Sequence, residues 1–373
     1  MRLLRYFSAK FFTLAVTATL ILAAIAEVLD LVDNAGDILD RGDGLAGLGQ
    51  YLALRTPTLI AHALPLGALA GAVMTLGMLA RNSEIVAARA SGRSTWDLYV
   101  LMFPGAFVLG ILHCVLLDAV LPKTEQRLAV WWAEGPAPKI DADKPAWLRL
   151  GPDVISFDAL ADRGRRLTNL QVYERNADKV ATGRLTAREA RYENRRWTLA
   201  GATHVSWLKE SFNVRTPADG VWETRFRPSD AVASLTPGGM VSSAAAQATL
   251  QGERVSNAPA SFYETLILRV YAAPLSAAIM LLLAMPAAFI NWRDARSARY
   301  GFLGLGLGLA FLLSDGLLTT LGGTGVIPPA VGSWTSIIVF AALGGAMISR
   351  MERGMTRPRA RRATPALSPE PHR

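Results

Sequence analysis

The sequence predicts an α-helical membrane protein with about six transmembrane helices, arranged three plus three around an inserted extracytoplasmic all-β domain of jelly-roll-like type. Two observations support this fold class. The 373 residues are 51% hydrophobic and only 18% charged, with a mean hydropathy of +0.26, which is more apolar than one soluble core of this size requires. Several stretches also exceed the roughly 20 apolar residues that a helix needs to cross the hydrocarbon layer.

Five of the six spans are marked by stretches that almost lack charge. The stretches without any Asp, Glu, Lys or Arg are 56–80, 98–117 and 270–292. A further stretch, 300–349, contains Asp315 as its single charged residue and is too long for one helix. Glycines and paired prolines at 322–329 interrupt helical hydrogen bonding, so this stretch is predicted to form two spans.

The first span is the weakest in the pattern. It begins at Phe11 and is uncharged only as far as Ala26, before Glu27. A signal peptide would have a shorter apolar region of about 7 to 15 residues, followed by a small-residue cleavage motif. Because helical character continues through Val32, we interpret this segment as a retained first helix.

The lysines and arginines predict the orientation of the helices, because positively charged loops resist translocation. They precede the first span, separate the second from the third and the fourth from the fifth, and continue in the tail: Arg2, Arg5, Lys10, Arg81, Arg89, Arg93, Arg293, Arg296, Arg299, Arg350 and Arg353. Both termini are therefore predicted to be cytoplasmic, with residues 122–261 outside. The net charge of +9 is then a property of topology, and no nucleic-acid partner is predicted.

Between 146 and 227 the sequence changes to short runs in which apolar and polar residues alternate, which is typical of half-buried strands. Repeated strands at this spacing favour a sandwich or jelly-roll-like sheet. Both an open groove for an acyl chain and a plain stalk fit the pattern. The predicted division of the chain is 1–121 for the first three spans, 122–261 for the β-rich domain, 262–349 for the last three spans and 350–373 for a disordered basic tail.

A short amphipathic helix is predicted on the cytoplasmic side at about 81–93, between the second and third spans. Ser83 has the residue type of an N-terminal cap, Ile85 and Val86 are apolar, and Gly92 is a typical stop. A helix of this kind can dock into a groove on a partner protein. The alternative is an interfacial helix that rests on lipid.

Motifs of ATP hydrolysis and of common hydrolases are missing from the sequence. There is no Gly-x-x-x-x-Gly-Lys-Ser/Thr, His-Glu-x-x-His or Gly-x-Ser-x-Gly, so no phosphate cradle and no common hydrolase site is predicted. Cys114 is the single cysteine, which excludes an intrachain disulfide. We therefore predict no catalytic residue, no metal site and no bound cofactor, and any energy from ATP has to be supplied by another protein.

Several of these features together resemble one family of membrane proteins. The run 76–92, Leu-Gly-Met-Leu-Ala-Arg-Asn-Ser-Glu-Ile-Val-Ala-Ala-Arg-Ala-Ser-Gly, is similar to the coupling helix of the lipopolysaccharide-export permeases LptF and LptG. The three-plus-three arrangement, the pair 190–192 and 196–199 in the outer domain, and 325–329 with Trp334 extend the resemblance over nearly the whole chain. Asp315 and the spacing around the double proline favour the LptG branch over the LptF branch.

The resemblance implies a permease subunit of an ABC-type exporter in the bacterial inner membrane, not an enzyme. Such a subunit extracts lipopolysaccharide from the outer leaflet of that membrane and passes it to a periplasmic bridge. The implied partners are a homologous LptF-like permease, periplasmic bridge proteins and a dimeric cytoplasmic ATPase, which uses ATP and Mg²⁺. The residues implied to couple to the ATPase are Arg81, Ser83, Glu84, Arg89 and Gly92. Two alternatives stay open: an exporter of another lipid, and a non-transporting scaffold that couples an ATPase to a periplasmic partner.

Charged residues at membrane depth are the candidates for lipid binding, because an ionisable group there is costly unless it reaches water or a partner. The candidates are Arg55, Arg269, Asp30, Asp33 and Asp315. Arg269 can meet a lipid phosphate or snorkel to the outer interface, and Asp315 can face the bundle interior or the surface. The LptG branch usually carries lysines at the outer end of the first helix, whereas this chain has Asp30, Asp33 and Asp37. Glu27 precedes them at the same three-to-four-residue spacing, so the four residues share one helical face. This acidic stripe of Glu27, Asp30, Asp33 and Asp37 either binds phosphate through a divalent cation or is the solvated end of the helix.

Overall fold

The computed structural model describes residues 2–42, 44–133, 145–176, 180–208, 211–215, 220–233, 241–286 and 298–356. Within these residues, six helices are long and apolar enough to cross a membrane. Three of them precede and three follow a region of antiparallel sheet. The predicted fold class is therefore confirmed.

The first half of the chain forms three helical rods that are longer than a membrane is thick. Its helices are α1 (Arg2–Asp40), α2 (Gly44–Arg81), α3 (Glu84–Ala90), α4 (Thr95–Val115) and α5 (Leu121–Ala133), with a π-helical turn at Leu116–Val120. The π-turn joins α4 and α5 into one rod, alongside those of α1 and α2. With 38 or 39 residues at about 1.5 Å each, a rod is roughly 57 Å long, against about 30 Å of hydrocarbon. The first rod starts before Phe11, and the third continues past the predicted domain boundary at residue 121.

Small residues let α1 and α2 cross at short distance. Gly67 and Gly71 of α2 lie against the backbone of Thr19 and Ala15 in α1, where a side chain on either glycine would collide. Close backbone approach of this kind is a common way for helices to associate in lipid. The adjoining apolar core contains side chains of α1, α2 and α4 and of the three spans that follow the sheet, so the two groups of three spans form one bundle.

A second apolar cluster connects the rods at the end that leads to the sheet. Buried residues of α1, α2 and α5 meet there: Ile38, Tyr51, Leu128 and Trp131. The guanidinium of Arg41 lies 4.2 Å from the ring centroid of Trp131 and donates a hydrogen bond of 2.7 Å to its carbonyl oxygen. Such a cation over an indole ring contributes about 0.5–1 kcal/mol at an exposed site. The ends of the three rods near the sheet are therefore held together by both apolar and polar contacts.

The second half of the chain contributes α8 (Ala260–Ala284), α9 (Ala298–Gly323) and α10 (Pro329–Thr356). The break between α9 and α10 falls in the predicted glycine and proline segment. Gly325 has a φ of +80°, which glycine adopts without steric cost, and Pro329 begins α10 at a position where its missing N–H costs no helical bond. Because α10 extends to Thr356, the first residues of the predicted tail, 350–356, are helical. Residues 357–373 lie outside the described residues.

The described residues between α5 and α8 form a ten-stranded antiparallel sheet. Its strands are β1 (Ala146–Leu150), β2 (Asp153–Phe157), β3 (Ala159–Ala161), β4 (Arg166–Arg175), β5 (Ala181–Glu193), β6 (Arg196–Ala200), β7 (Thr203–Leu208), β8 (Ser211–Arg215), β9 (Val221–Trp222) and β10 (Val255–Ser256). The order is β10-β1-β2-β4-β5-β6-β9, with β3 beside β4 and β7 between β5 and β8. Two short helices, α6 (Pro228–Ala233) and α7 (Ser243–Leu250), are additions to the predicted all-β domain.

Alternate residues of the strands form the core of this domain. In β4, Leu170 and Val172 are buried, whereas Gln171 and Tyr173 between and after them are half-buried on the other face. The tryptophan of the predicted 196–199 run, Trp197, lies in the core and donates from Nε1 to the carbonyl oxygen of Phe226 at 2.8 Å. Burial of an indole with its N–H satisfied is the usual arrangement for this side chain.

Candidate functional site

The short helix α3 lies between the ends of α2 and α4, away from the sheet. Ser83 occupies the N-cap position, but its φ of 58° is left-handed and its side chain caps no amide, so the predicted side-chain cap is wrong. A capping serine needs extended backbone so that its hydroxyl points at the first turn. At the other end, Gly92 has a φ of +86°, and the amides of Gly92 and Arg93 donate to the carbonyl oxygens of Arg89 and Ala88. Gly92 thus ends the helix in the manner of a Schellman motif.

Glu84 at the start of α3 faces α1 of the same chain. Its carboxylate accepts hydrogen bonds from the hydroxyl of Tyr6 at 3.2 Å and from the amide of Asn82 at 3.2 Å. It also lies 3.4 Å from the ammonium of Lys10. These contacts hold the N-terminal end of α3 against α1, so the Glu84 side chain is used inside the subunit.

Arg89 near the end of α3 faces α4. Its guanidinium donates to the hydroxyl of Thr95 at 3.0 Å, and burial lowers the pKa of the guanidinium. The backbone amide of Thr95 in turn donates to the carboxylate of Glu352 in α10 at 2.6 Å. The ends of α3, α4 and α10 therefore meet at one point, where Glu352 accepts from the free amides of the first turn of α4.

The remaining surface of α3 is apolar and exposed. Ile85 is buried against the bundle, whereas 64% of Val86 is accessible. Ala87, Ala90 and Gly92 are exposed as well, as is Arg81, which precedes the helix. We call this surface, formed by Val86, Ala87 and Ala90, the α3 face. Helices that dock into grooves present apolar faces of this kind.

A polar cluster lies toward the end of α1 and α2 that leads to the sheet. Asp30 accepts hydrogen bonds from the hydroxyl of Tyr51 at 2.5 Å and from Nη2 of Arg55 at 3.0 Å. On its other side, Arg55 lies 3.7 Å from the carboxylate of Glu125 in α5, which accepts from the hydroxyl of Thr58 at 2.6 Å. Two of the predicted lipid-binding residues, Asp30 and Arg55, are thus brought together as partners.

The acidic stripe divides into an inward and an outward part. Asp30 is engaged with α2, and both carboxylate oxygens of Glu27 lie 2.8 Å from the hydroxyl of Thr56, which donates to this carboxylate. Asp33 and Asp37 are exposed. Within the described residues, no three His, Cys, Asp or Glu side chains are placed to hold a metal ion. A bridging cation would therefore need oxygen atoms from a ligand or another chain.

Arg269 and Asp315 form an ion pair between the last three spans. Nη1 of Arg269 donates to the Asp315 carboxylate at 2.9 Å and to the hydroxyl of Thr319 at 2.7 Å. The second carboxylate oxygen accepts from the hydroxyl of Ser336 at 2.6 Å. The Asp315 side chain is only 13% exposed, so it faces the bundle, whereas 38% of the Arg269 side chain stays accessible. The pair connects α8, α9 and α10.

Several partners in these clusters were not anticipated from the sequence. Tyr51 and Arg55 are four residues apart, which places them on one face of α2, and this spacing could have identified them as a pair. The contact of Glu352 with Thr95 spans 257 residues of sequence and leaves no local pattern. The same holds for Glu125, which belongs to a rod beyond the predicted end of the third span.

Among the described residues, six apolar helices form two groups of three, with a sheet domain inserted between them and an exposed helix at the opposite end. This is the architecture of a multi-pass membrane subunit built like a transport permease. The model of the family "Lipopolysaccharide export system permease LptF/LptG" matches residues 5–350. The LptG protein of Escherichia coli strain K12 is 23% identical over 336 residues, which cover 88% of this chain and 92% of the relative. The LptG protein of Haemophilus influenzae is 23% identical over 345 residues, 90% of this chain and 95% of the relative. The chain belongs to the LptF/LptG family and is a permease subunit of the lipopolysaccharide export system.

Proposed function

We propose that this chain is the LptG-type half of an ABC-type exporter that extracts lipopolysaccharide from the outer leaflet of the bacterial inner membrane. It pairs with a homologous LptF-like permease, and the lipid enters between the two and passes to periplasmic bridge proteins. ATP and Mg²⁺ are used by a dimeric cytoplasmic ATPase, and this chain binds neither. The match to curated LptG proteins over nine-tenths of the chain supports the branch.

The exposed α3 face is the observation that carries the coupling part of this proposal. It consists of small apolar side chains at the end of the bundle opposite the sheet, where an ATPase can reach it. Glu84 and Arg89 position α3 through Lys10 and Thr95 instead of contacting the ATPase themselves. The proposed coupling residues therefore divide into those that hold the helix and those that meet the partner.

The orientation follows from the same arrangement. The arginines between α2 and α4 and in the first turn of α1 lie at the α3 end of the bundle, and positive charge favours the cytoplasmic side. Both termini and α3 are therefore cytoplasmic, and the sheet domain is periplasmic.

The lipid-binding residues act as partnered charges. Arg269 keeps Asp315 as its counter-ion and presents its accessible edge to a lipid phosphate, which guanidinium groups bind through two parallel hydrogen bonds. Arg55 is neutralised by Asp30 and lies near Glu125, so its contact with phosphate is weaker. Asp33 and Asp37 contact phosphate only through a divalent cation, because carboxylate and phosphate repel each other.

Co-purification tests the proposal directly. The tagged full-length chain, solubilised from its native membrane, is expected to carry a stoichiometric ATPase and a second permease, and mass spectrometry of the bound lipid is expected to find lipopolysaccharide. A complex that contains the ATPase but neither binds nor moves lipid in liposomes would favour the scaffold function. Selective binding of a different lipid would favour an exporter of that lipid.

A further inference from the structure

A cleft lies where the sheet domain meets the start of α8. The space between its walls is about 340 Å³, part of which is open solvent. The residues that line it include two arginines, Arg149 and Arg254, and no aspartate or glutamate. The cleft is therefore positively charged, and it is distinct from the charged clusters of the helix bundle.

The register of two strands brings the arginines to one side. β1 pairs with β10 so that Arg149 lies opposite Ser256. Arg254 directly precedes β10, and both arginines line the cleft. Both guanidinium groups therefore belong to the face that lines the cleft.

Neither arginine has a carboxylate within ion-pair distance among the residues that the structure describes, although Asp230 lies close enough to interact with the charge of Arg254. Nε of Arg149 donates to the carbonyl oxygen of Gly151 at 3.1 Å, which leaves its two terminal nitrogens for another acceptor. Arg254 forms no ion pair among the described residues. Asp230 senses the charge of Arg254, but its carboxylate accepts from the backbone amide of Arg227 at 2.9 Å.

The backbone around the cleft leaves room for an anion. The last carbonyl oxygens of α7 are occupied, because those of Gln247 and Ala248 accept from the amides of Gln251 and Glu253. Gly151 and Gly252 approach each other with φ angles of +57° and +77°, so the floor of the cleft carries no side chain. A Cβ on Gly252 would come within 3.3 Å of the Gly151 Cα.

The cleft borders the start of a membrane span. Ala260, which lines it, is the first residue of the span Ala260–Ala284. Tyr263, one turn into that span, also lines the cleft and donates its hydroxyl to Asn257. The positive end of the α8 dipole adds to the field of the two arginines.

We propose that this cleft binds the phosphate monoester headgroup of a lipid in the leaflet next to the sheet domain, with Arg149 and Arg254 as the paired cations. Phosphate accepts two parallel hydrogen bonds from each guanidinium, and a monoester carries more charge than a diester. The site concerns lipid binding by this chain alone, so it does not rest on the proposed transport function.

Isothermal titration of the purified full-length chain in micelles tests this site, with dioctanoyl phosphatidic acid as the probe and dioctanoyl phosphatidylcholine as the comparison. Saturable binding of phosphatidic acid is expected, with little binding of phosphatidylcholine. Arg149→Gln with Arg254→Gln should weaken phosphatidic acid binding at least tenfold. The matched control, Arg188→Gln with Arg196→Gln, removes two exposed arginines elsewhere on the sheet and should bind like wild type.

Two further measurements make the result decisive. Arg149→Lys keeps the charge but loses the paired hydrogen bonds, and an affinity between wild type and the double variant is expected. Competition by millimolar inorganic phosphate would assign the site to free phosphate and overturn the lipid assignment. Equal losses in the double variant and its matched control would show an effect of overall charge and would also overturn the proposal, as would undiminished binding in the double variant.

Discussion

The ion pair between Arg269 and Asp315 allows structural support to be separated from lipid binding. Asp315→Ala removes the carboxylate and leaves the guanidinium with the hydroxyl of Thr319, and Ser336 loses its acceptor. Breaking a buried pair costs about 3–5 kcal/mol, whereas an exposed pair contributes about 0–1 kcal/mol. Because 38% of the Arg269 side chain is accessible, we expect the free energy of unfolding to fall by about 1–2 kcal/mol.

A double-mutant cycle measures this coupling. Asp315→Ala, Arg269→Ala and the double variant are compared by denaturant unfolding of the purified chain in micelles. Contacting residues usually show a coupling energy of about 0.5–3 kcal/mol, so the double variant should lose less stability than the sum of the single variants. Thr319→Val removes one neutral acceptor from the same guanidinium and should cost about 1 kcal/mol. Additive losses would refute the structural role of the pair.

Lipid retention gives the second readout. Arg269→Gln should reduce the lipopolysaccharide that co-purifies with the complex, because the phosphate loses its cation. Asp315→Asn keeps a hydrogen-bonding side chain but releases the guanidinium from its counter-ion, so retention should be unchanged or higher. Equal losses of lipid in these two variants would refute lipid binding by Arg269. The structural role of the ion pair would not be affected by that result.

Three other predictions concern coupling and the acidic stripe. Glu84→Arg places a second positive charge beside Lys10 and should reduce co-purification of the ATPase. Adding Lys10→Glu should restore part of the ATPase binding, and no restoration would contradict the positioning role of Glu84. Val86→Glu puts a charge on the exposed α3 face and should abolish ATPase binding without affecting membrane insertion. Val86→Ala should have a small effect. Normal assembly of the glutamate variant with the ATPase would exclude docking through this face. If a divalent cation bridges the acidic stripe to phosphate, a chelator should lower lipopolysaccharide retention, and Asp33→Asn with Asp37→Asn should remove that dependence. Retention that the chelator does not change in either wild type or the double variant would make the stripe the solvated end of α1.

The sequence predicted the features that depend on local chemistry. The break before Pro329 follows from glycine and proline alone, and the end of α3 at Gly92 follows from the left-handed conformation that glycine permits. The N-terminal end of α3 was mispredicted, because Ser83 has the right side chain in the wrong backbone conformation. Residue type indicates a cap only when the preceding chain arrives in extended conformation.

Partners on other helices could not be predicted in the same way. The three-to-four-residue spacing of Glu27, Asp30 and Asp33 shows a common helical face, but not that two of these residues are engaged by α2 and the third is exposed. That division depends on how α1 crosses α2, which is set by the close approach at Gly67 and Gly71. For the same reason, the alternatives for Asp315 stayed open until the packing of α8, α9 and α10 was known.

The π-helical turn at Leu116–Val120 fixes the angular phase of α5. A π-turn holds an additional residue compared with an α-helical turn, and one residue rotates an α-helix by about 100°. This insertion therefore decides which side of α5 directs Leu128 and Trp131 toward Tyr51 and Arg41. If the same residues followed a regular α-helical path through this turn, both side chains would be rotated roughly 100° away from their neighbours. The contact between the spans and the sheet domain thus depends on the number of residues along one helix as much as on the identity of those residues.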